Sequence, residues 1–142
     1  MILISACLAG HNCKYNGGNN LVPEIKQMFE EGKCVAVCPE QLGGLATPRP
    51  SAEIQGTRVI NTAGIDVTKA YETGAAAALK QALQAGCNEA VLKAYSPSCG
   101  CGMIYDGTFT HTKIHGNGIF ADLCMKNGIH CITDEEYKEK KQ

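Results

Sequence analysis

The chain has 142 residues, 44% hydrophobic and 19% charged, with a formal net charge of −1, which fits one globular domain over 1–142 rather than a disordered segment or a pair of domains. No basic run is present apart from the tail KEKKQ, a solvated helix end, so nucleic acid is not expected as a partner. No apolar stretch approaches the roughly 20 residues of a membrane span, so no membrane is expected either.

The first element is Ile2–Ser5. The apolar start has no basic residues before it and soon meets glycine and polar residues, so it reads as a buried strand rather than a leader. Pro23–Glu31 reads as a helix, with proline in its first turn and Gly32 after its end. Cys34–Cys38 is the second strand. CPEQLGGLATPRP, residues 38–50, follows as a glycine- and proline-rich loop. Residues 53–65 predict a β-hairpin inserted before a long helix over 67–85. That helix places Val67, Tyr71, Ala75, Ala78, Leu79, Ala82 and Leu83 on one face, with Asp66 or Thr68 as its cap. Ala90–Ala94 is the third strand. Residues 103–113 predict a second hairpin turning at Asp106-Gly107. Ile119–Lys126 is a helix, Ile129–Ile132 a fourth strand, and EEYKEKK a last helix capped by Asp134.

Gly32, Gly86 and Gly128 each follow a helix and precede an apolar run, the usual left-handed helix ending. The runs are continuous rather than alternating, as in strands covered on both faces. The expected fold is therefore α/β: a Rossmann-like three-layer sandwich with a mainly parallel four-stranded sheet, right-handed crossovers and inserted β-hairpins.

Nine cysteines stand at 7, 13, 34, 38, 87, 99, 101, 124 and 131. Their number is odd, so they cannot all pair, and without an export signal a reducing, cytoplasmic setting is expected. No C-x-x-C and no closely spaced ferredoxin-type run occurs, so any metal site must be assembled from distant segments. In an open parallel sheet, ligands sit beyond the carboxyl ends of the strands. Cys7, Cys38 and Cys99 lie just past the first three strands and converge on that edge. Three thiolates suit zinc, copper(I) or an iron–sulfur cluster, and three protein ligands leave a position open for chemistry. Arg49, Lys93, Ser98 and the backbone amides of GCG and GG lie close by in sequence and are candidates to surround the site.

The motifs SACLAGHNCKYNG, CPEQLGGLATPRPSAEI, LKAYSPSCGCGMIYDGTFT and GNGIFADL resemble those of the thiouracil desulfidase family, and the resemblance covers nearly the whole chain. It implies a [4Fe-4S] cluster held by Cys7, Cys38 and Cys99 with its fourth iron free, and catalytic roles for Glu40 and Ser96. The implied reaction is non-redox removal of sulfur from a thiocarbonyl such as 2-thiouracil, giving the oxo product and hydrogen sulfide. In it Glu40 activates water and Ser96 positions water or substrate. An oxygen-exposed sample can lack the cluster. The implied partner is a small thiocarbonyl substrate; oligomeric state and natural substrate are not legible.

Blander readings stand beside these. Cys34, Cys87, Cys124 and Cys131 read as core residues. Cys13 and Cys101 read as neighbours of the site or as bystanders. Glu40 can simply cap a turn, and Ser96-Pro97-Ser98 can be only a tight turn. Two other functions compete: a metal- or redox-sensing module using the same cysteines without catalysis, and a metal-free thiol enzyme with Cys7 or Cys38 as nucleophile. The last is weakened because Cys13 stands where a C-x5-R phosphate loop would need arginine.

Overall fold

The computed structural model describes residues 1–140. In chain order the elements are β1 (Ile2–Ser5), α1 (Pro23–Glu30), β2 (Cys34–Val37), α2 (Pro39–Leu42), β3 (Ala52–Gln55), β4 (Arg58–Asn61), α3 (Thr68–Gln84), β5 (Glu89–Leu92), β6 (Met103–Tyr105), β7 (Lys113–His115), α4 (Ile119–Lys126), β8 (His130–Thr133) and α5 (Asp134–Lys140), with a 3-10 turn over Ala6–Ala9. Four strands form a parallel sheet in the order β2-β1-β5-β8. Ile4 lies opposite Ala36 on one side and Val91 on the other. The expected α/β sandwich is thus observed, and the hairpins β3-β4 and β6-β7 are inserted outside it.

The continuous apolar runs follow from burial on both faces. Leu3, Val37, Ala90 and Leu92 pack under Ala75, Ala78 and Ala82 of α3 and Phe120, Ala121 and Cys124 of α4. Ile4, Cys34 and Val91 pack on the opposite face against Ile25 of α1, Leu8 of the 3-10 turn and Tyr137 of α5. Leu3, Leu92 and Phe120 are wholly buried, each contributing about 1.5–3 kcal/mol of transfer free energy. Gly32, Gly86 and Gly128 have φ of +77°, +73° and +81°, so the expected left-handed endings do turn the chain into β2, β5 and β8.

Alanine and glycine on α3 allow close approach. A Cβ on Gly74 would collide with the Pro39 carbonyl oxygen, and one on Gly43 with that of Ala70. The short helix α2, which follows β2, is therefore pressed backbone to backbone against α3.

Several local expectations need correction. Leu83 is 49% exposed, because the tight α3–sheet contact uses the alanine stripe and leaves Leu83 off it. The second hairpin does not turn at Asp106-Gly107: its strands are joined by residues 106–112, held open by hydrogen bonds to Glu53. The last helix is not capped by Asp134. Thr133 Oγ1 accepts the Glu136 N–H, and Glu136 Oε1 accepts the Thr133 N–H, a reciprocal capping box. Asp134 instead turns inward and accepts the Ala94 N–H at 2.8 Å. Of the expected α5, Lys141 lies outside the described residues. The long helix is present as Thr68–Gln84, but Val67 rather than Asp66 or Thr68 takes its cap position. Asp66, one residue further out, accepts the Thr68 N–H through Oδ1 at 2.9 Å, and the Thr68 hydroxyl is taken up accepting the Val59 N–H. Cys34, Cys87, Cys124 and Cys131 are all buried. Two elements were not anticipated: the 3-10 turn and α2.

Candidate active site

Strand order reverses between β1 and β5, and a cavity of about 390 Å³ opens beyond their carboxyl ends. This is the topological switch point at which open α/β sheets bind ligands. Cys7 enters it from the 3-10 turn after β1, Cys38 from the residue between β2 and α2, and Cys99 from the loop after β5. The three cysteines separated by 31 and 61 residues in the chain line one cavity together with Glu40, Arg49, Lys93 and Ser96.

Each of the three sulfurs has a polar neighbour. Asn20 Nδ2 donates to Cys7 Sγ at 3.4 Å. This eases a thiol that burial otherwise pushes up. Burial pushes the Cys99 thiol well up, and Ser5, whose Oγ accepts the Lys93 N–H at 2.9 Å, offsets this in part. Cys38 sits at the head of α2. Cys38 Sγ lies 3.8 Å from the Cys13 carbonyl oxygen, and the neighbouring Cys13 side chain brings the Cys38 thiol down to about 7 against the opposing effect of burial. Cys13 is correspondingly pushed up.

Glu40 and Arg49 form a fork on one oxygen: Arg49 Nε and Nη2 reach Glu40 Oε2 at 3.1 and 2.7 Å. The two side chains are 15% and 7% exposed, so the pair is largely removed from water. The same Nη2 donates to the Cys13 carbonyl at 2.9 Å, tying the loop after Cys7 to the loop after Cys38. Burial, then the Glu40 charge, pushes the Tyr71 phenol up, keeping its hydroxyl protonated. Ser96 Oγ accepts the N–H groups of Ser98 and Cys99 at 3.1 and 3.0 Å. The tight turn is therefore real, and the hydroxyl proton of Ser96 remains to be donated into the cavity.

Of the other sequence candidates, Cys13 and Lys93 line the cavity, and Lys93 Nζ lies 3.6 Å from Asp134 Oδ2. Ser98 is wholly buried behind Cys99, its Oγ 3.9 Å from Cys99 Sγ. Cys101 lies apart from the cavity, with its sulfur on the Cys131 carbonyl at 3.4 Å. Sequence reasoning missed Ser5, Asn20 and Tyr71. Nothing in their local pattern marks them; Ser5 alone had a signal, as a polar residue closing an apolar strand.

Among the described residues no three His, Cys, Asp or Glu side chains close around a single metal ion. The three cysteines instead share the lining of the cavity of about 390 Å³. Soft sulfur donors, the Asn20 amide aimed at Cys7, and the cations Lys93 and Arg49 in the same lining fit an anionic iron–sulfur core.

A family model described as 2-thiouracil desulfurase matches residues 2–136. The Bacillus subtilis (strain 168) protein YbbK, described only as uncharacterized, is 40% identical over 149 residues, covering 98% of this chain and 99% of that protein. A solved structure described as the [4Fe-4S]-dependent thiouracil desulfidase TudS superposes with a TM-score of 0.90 at 39% identity, covering 97% of this chain and 93% of that one.

Proposed function

The chain belongs to the 2-thiouracil desulfurase family, and from that premise we propose that it hydrolyses the C=S bond of 2-thiouracil or a related thiolated pyrimidine, using a [4Fe-4S] cluster held by Cys7, Cys38 and Cys99. The observation that carries this reading is the meeting of those three cysteines with Glu40 and Ser96 in one cavity at the sheet's switch point.

When bound, such a cluster supplies an iron without a protein ligand, a Lewis acid for the thiocarbonyl sulfur. The protein's own groups do the rest. Glu40 takes a proton from water as the oxygen adds to the thiocarbonyl carbon. Arg49 holds the Glu40 carboxylate in one orientation. Ser96, already turned by two backbone N–H groups, donates its hydroxyl proton to the substrate or to sulfur. The C–S bond breaks as the C=O bond forms, and sulfur leaves as hydrogen sulfide. One water is consumed and no electrons are exchanged.

The test is anaerobic turnover of 2-thiouracil by iron- and sulfide-reconstituted protein, following uracil and sulfide together. Equal amounts of both, formed without reductant, are expected. Glu40→Gln should keep the visible cluster absorption and lose about 10²–10⁴-fold in kcat. Cluster binding without turnover would leave the sensing module as the reading. Turnover by iron-free protein would point to a thiol nucleophile.

A further inference from the structure

Among the described residues, the non-glycine residues with positive φ are Tyr95 at 65°, Phe109 at 57° and His111 at 59°, and all three build one wall of the cavity mouth or the loop behind it. A bulky aromatic residue in this conformation is a rare and strained choice. Asn or Gly would turn the chain there without it. The strained backbone is matched by firm support. The Tyr95 hydroxyl donates to Glu135 Oε1 at 2.6 Å, and Lys113 Nζ lies 3.8 Å from the centre of its ring, a cation–π contact. The loop that carries His111 is held by Glu53, a buried carboxylate whose Oε1 accepts the N–H groups of Gly107 and Phe109 at 3.0 and 3.1 Å.

The outcome is a fixed row of rings. Tyr95 and Tyr105 stand 5.8 Å apart, tilted by 43°, and Tyr105 and His111 stand 5.8 Å apart at 79°. All three line the same cavity as Cys7, Cys38, Cys99 and Glu40. Aromatic side chains take offset or edge-to-face contact with another flat ring. The cavity, about 390 Å³ in all, is at the small end for ligand sites, and the space left beside the proposed cluster suits no guest larger than a single ring.

We infer that Tyr95, Tyr105 and His111 form the wall that selects flat heteroaromatic thiocarbonyls, receiving the face or edge of the substrate ring while the polar groups opposite engage its reacting end. This rests on the desulfidase reading and assigns recognition of the substrate ring to these three residues.

Uracil and 5,6-dihydrouracil present nearly the same hydrogen-bonding edge, but the second is puckered and lacks the aromatic face. Calorimetric binding of each to the anaerobically reconstituted protein isolates the wall from the chemistry. The unmodified protein should prefer uracil by about tenfold or more, the size of one aromatic pair. Tyr105→Leu and His111→Asn should bring the preference close to one, and Tyr105→Phe should keep it. His111→Asn retains a residue that tolerates the left-handed backbone on an exposed loop, so this arm reads recognition without endangering the fold. Equal binding of both compounds by the unmodified protein, no binding of uracil, or a preference that survives Tyr105→Leu and His111→Asn would overturn the inference. Failure of the desulfidase reading appears separately, as absence of 2-thiouracil turnover with the uracil preference intact.

Discussion

Arg49 shows how one side chain joins the parts of the site. Its guanidinium reaches Glu40 and the Cys13 carbonyl from a position 7% exposed. Removing one partner of such a pair leaves the other charge buried and alone, so Arg49→Ala is expected to cost about 3 kcal/mol or more in urea unfolding. Arg49→Ala with Glu40→Gln should cost less than the sum of the single changes, as a double-mutant cycle would read. Arg49→Lys keeps the charge but loses the fork, and kcat should fall even where the protein stays folded. Ser5 acts at the same scale beside Cys99. Its Oγ accepts the Lys93 amide and it offsets the burial of the Cys99 thiol, so Ser5→Ala should weaken retention of the proposed cluster by about 10–100-fold, the usual weight of such an outer contact. Competition with an iron chelator would measure it.

At the scale of elements, the contact of α2 with α3 fixes where Cys38 and Glu40 stand. Gly74→Ala would drive a methyl into the Pro39 carbonyl. The neighbour is backbone and cannot swing aside, so a loss of about 1–3 kcal/mol is expected, together with loss of cluster absorption from a site that the substitution does not touch. The start of α3 depends on Asp66, whose carboxylate accepts the Thr68 N–H and pairs with Arg58 at 2.8 Å. These contacts, that of Arg58 first, hold its acid group down to about 2. A depressed carboxylate contributes stability that is present above its ordinary value and is lost as pH falls through the folded value. Asp66→Asn should therefore lower Tm at neutral pH, and the difference should close as pH drops from about 4 to about 2, as a pH series of thermal melts would show. The strands were legible because burial on both faces leaves continuous apolar runs, and the helix ends because Gly32, Gly86 and Gly128 mark them. The four-residue α2 was not, because proline and paired glycines read equally well as loop until α3 is packed against them.

For the whole molecule, the sheet order does most to create the site. Placing β1 between β2 and β5 brings three chain-distant cysteines to one edge, and the rule that ligands bind at the switch point let sequence position alone anticipate it. The rest of the cavity was hidden because its residues come from inserted pieces. Tyr105 and His111 belong to the second hairpin, whose long loop is held by Glu53 of the first. Asn20 lies in the segment between the 3-10 turn and α1, with no pattern to announce it. Cys101 stands two residues from Cys99, yet its sulfur faces the Cys131 carbonyl outside the cavity. Sequence proximity made it a candidate, and the turn set by Ser96 directs it away. That contrast gives the most direct measurement: iron and acid-labile sulfide per chain after anaerobic reconstitution, for the unmodified protein and for Cys7→Ser, Cys38→Ser, Cys99→Ser and Cys101→Ser. The account predicts about four of each in the unmodified protein and in Cys101→Ser, with loss in the other three. A full complement in any of those three, or a loss confined to Cys101→Ser, would contradict it.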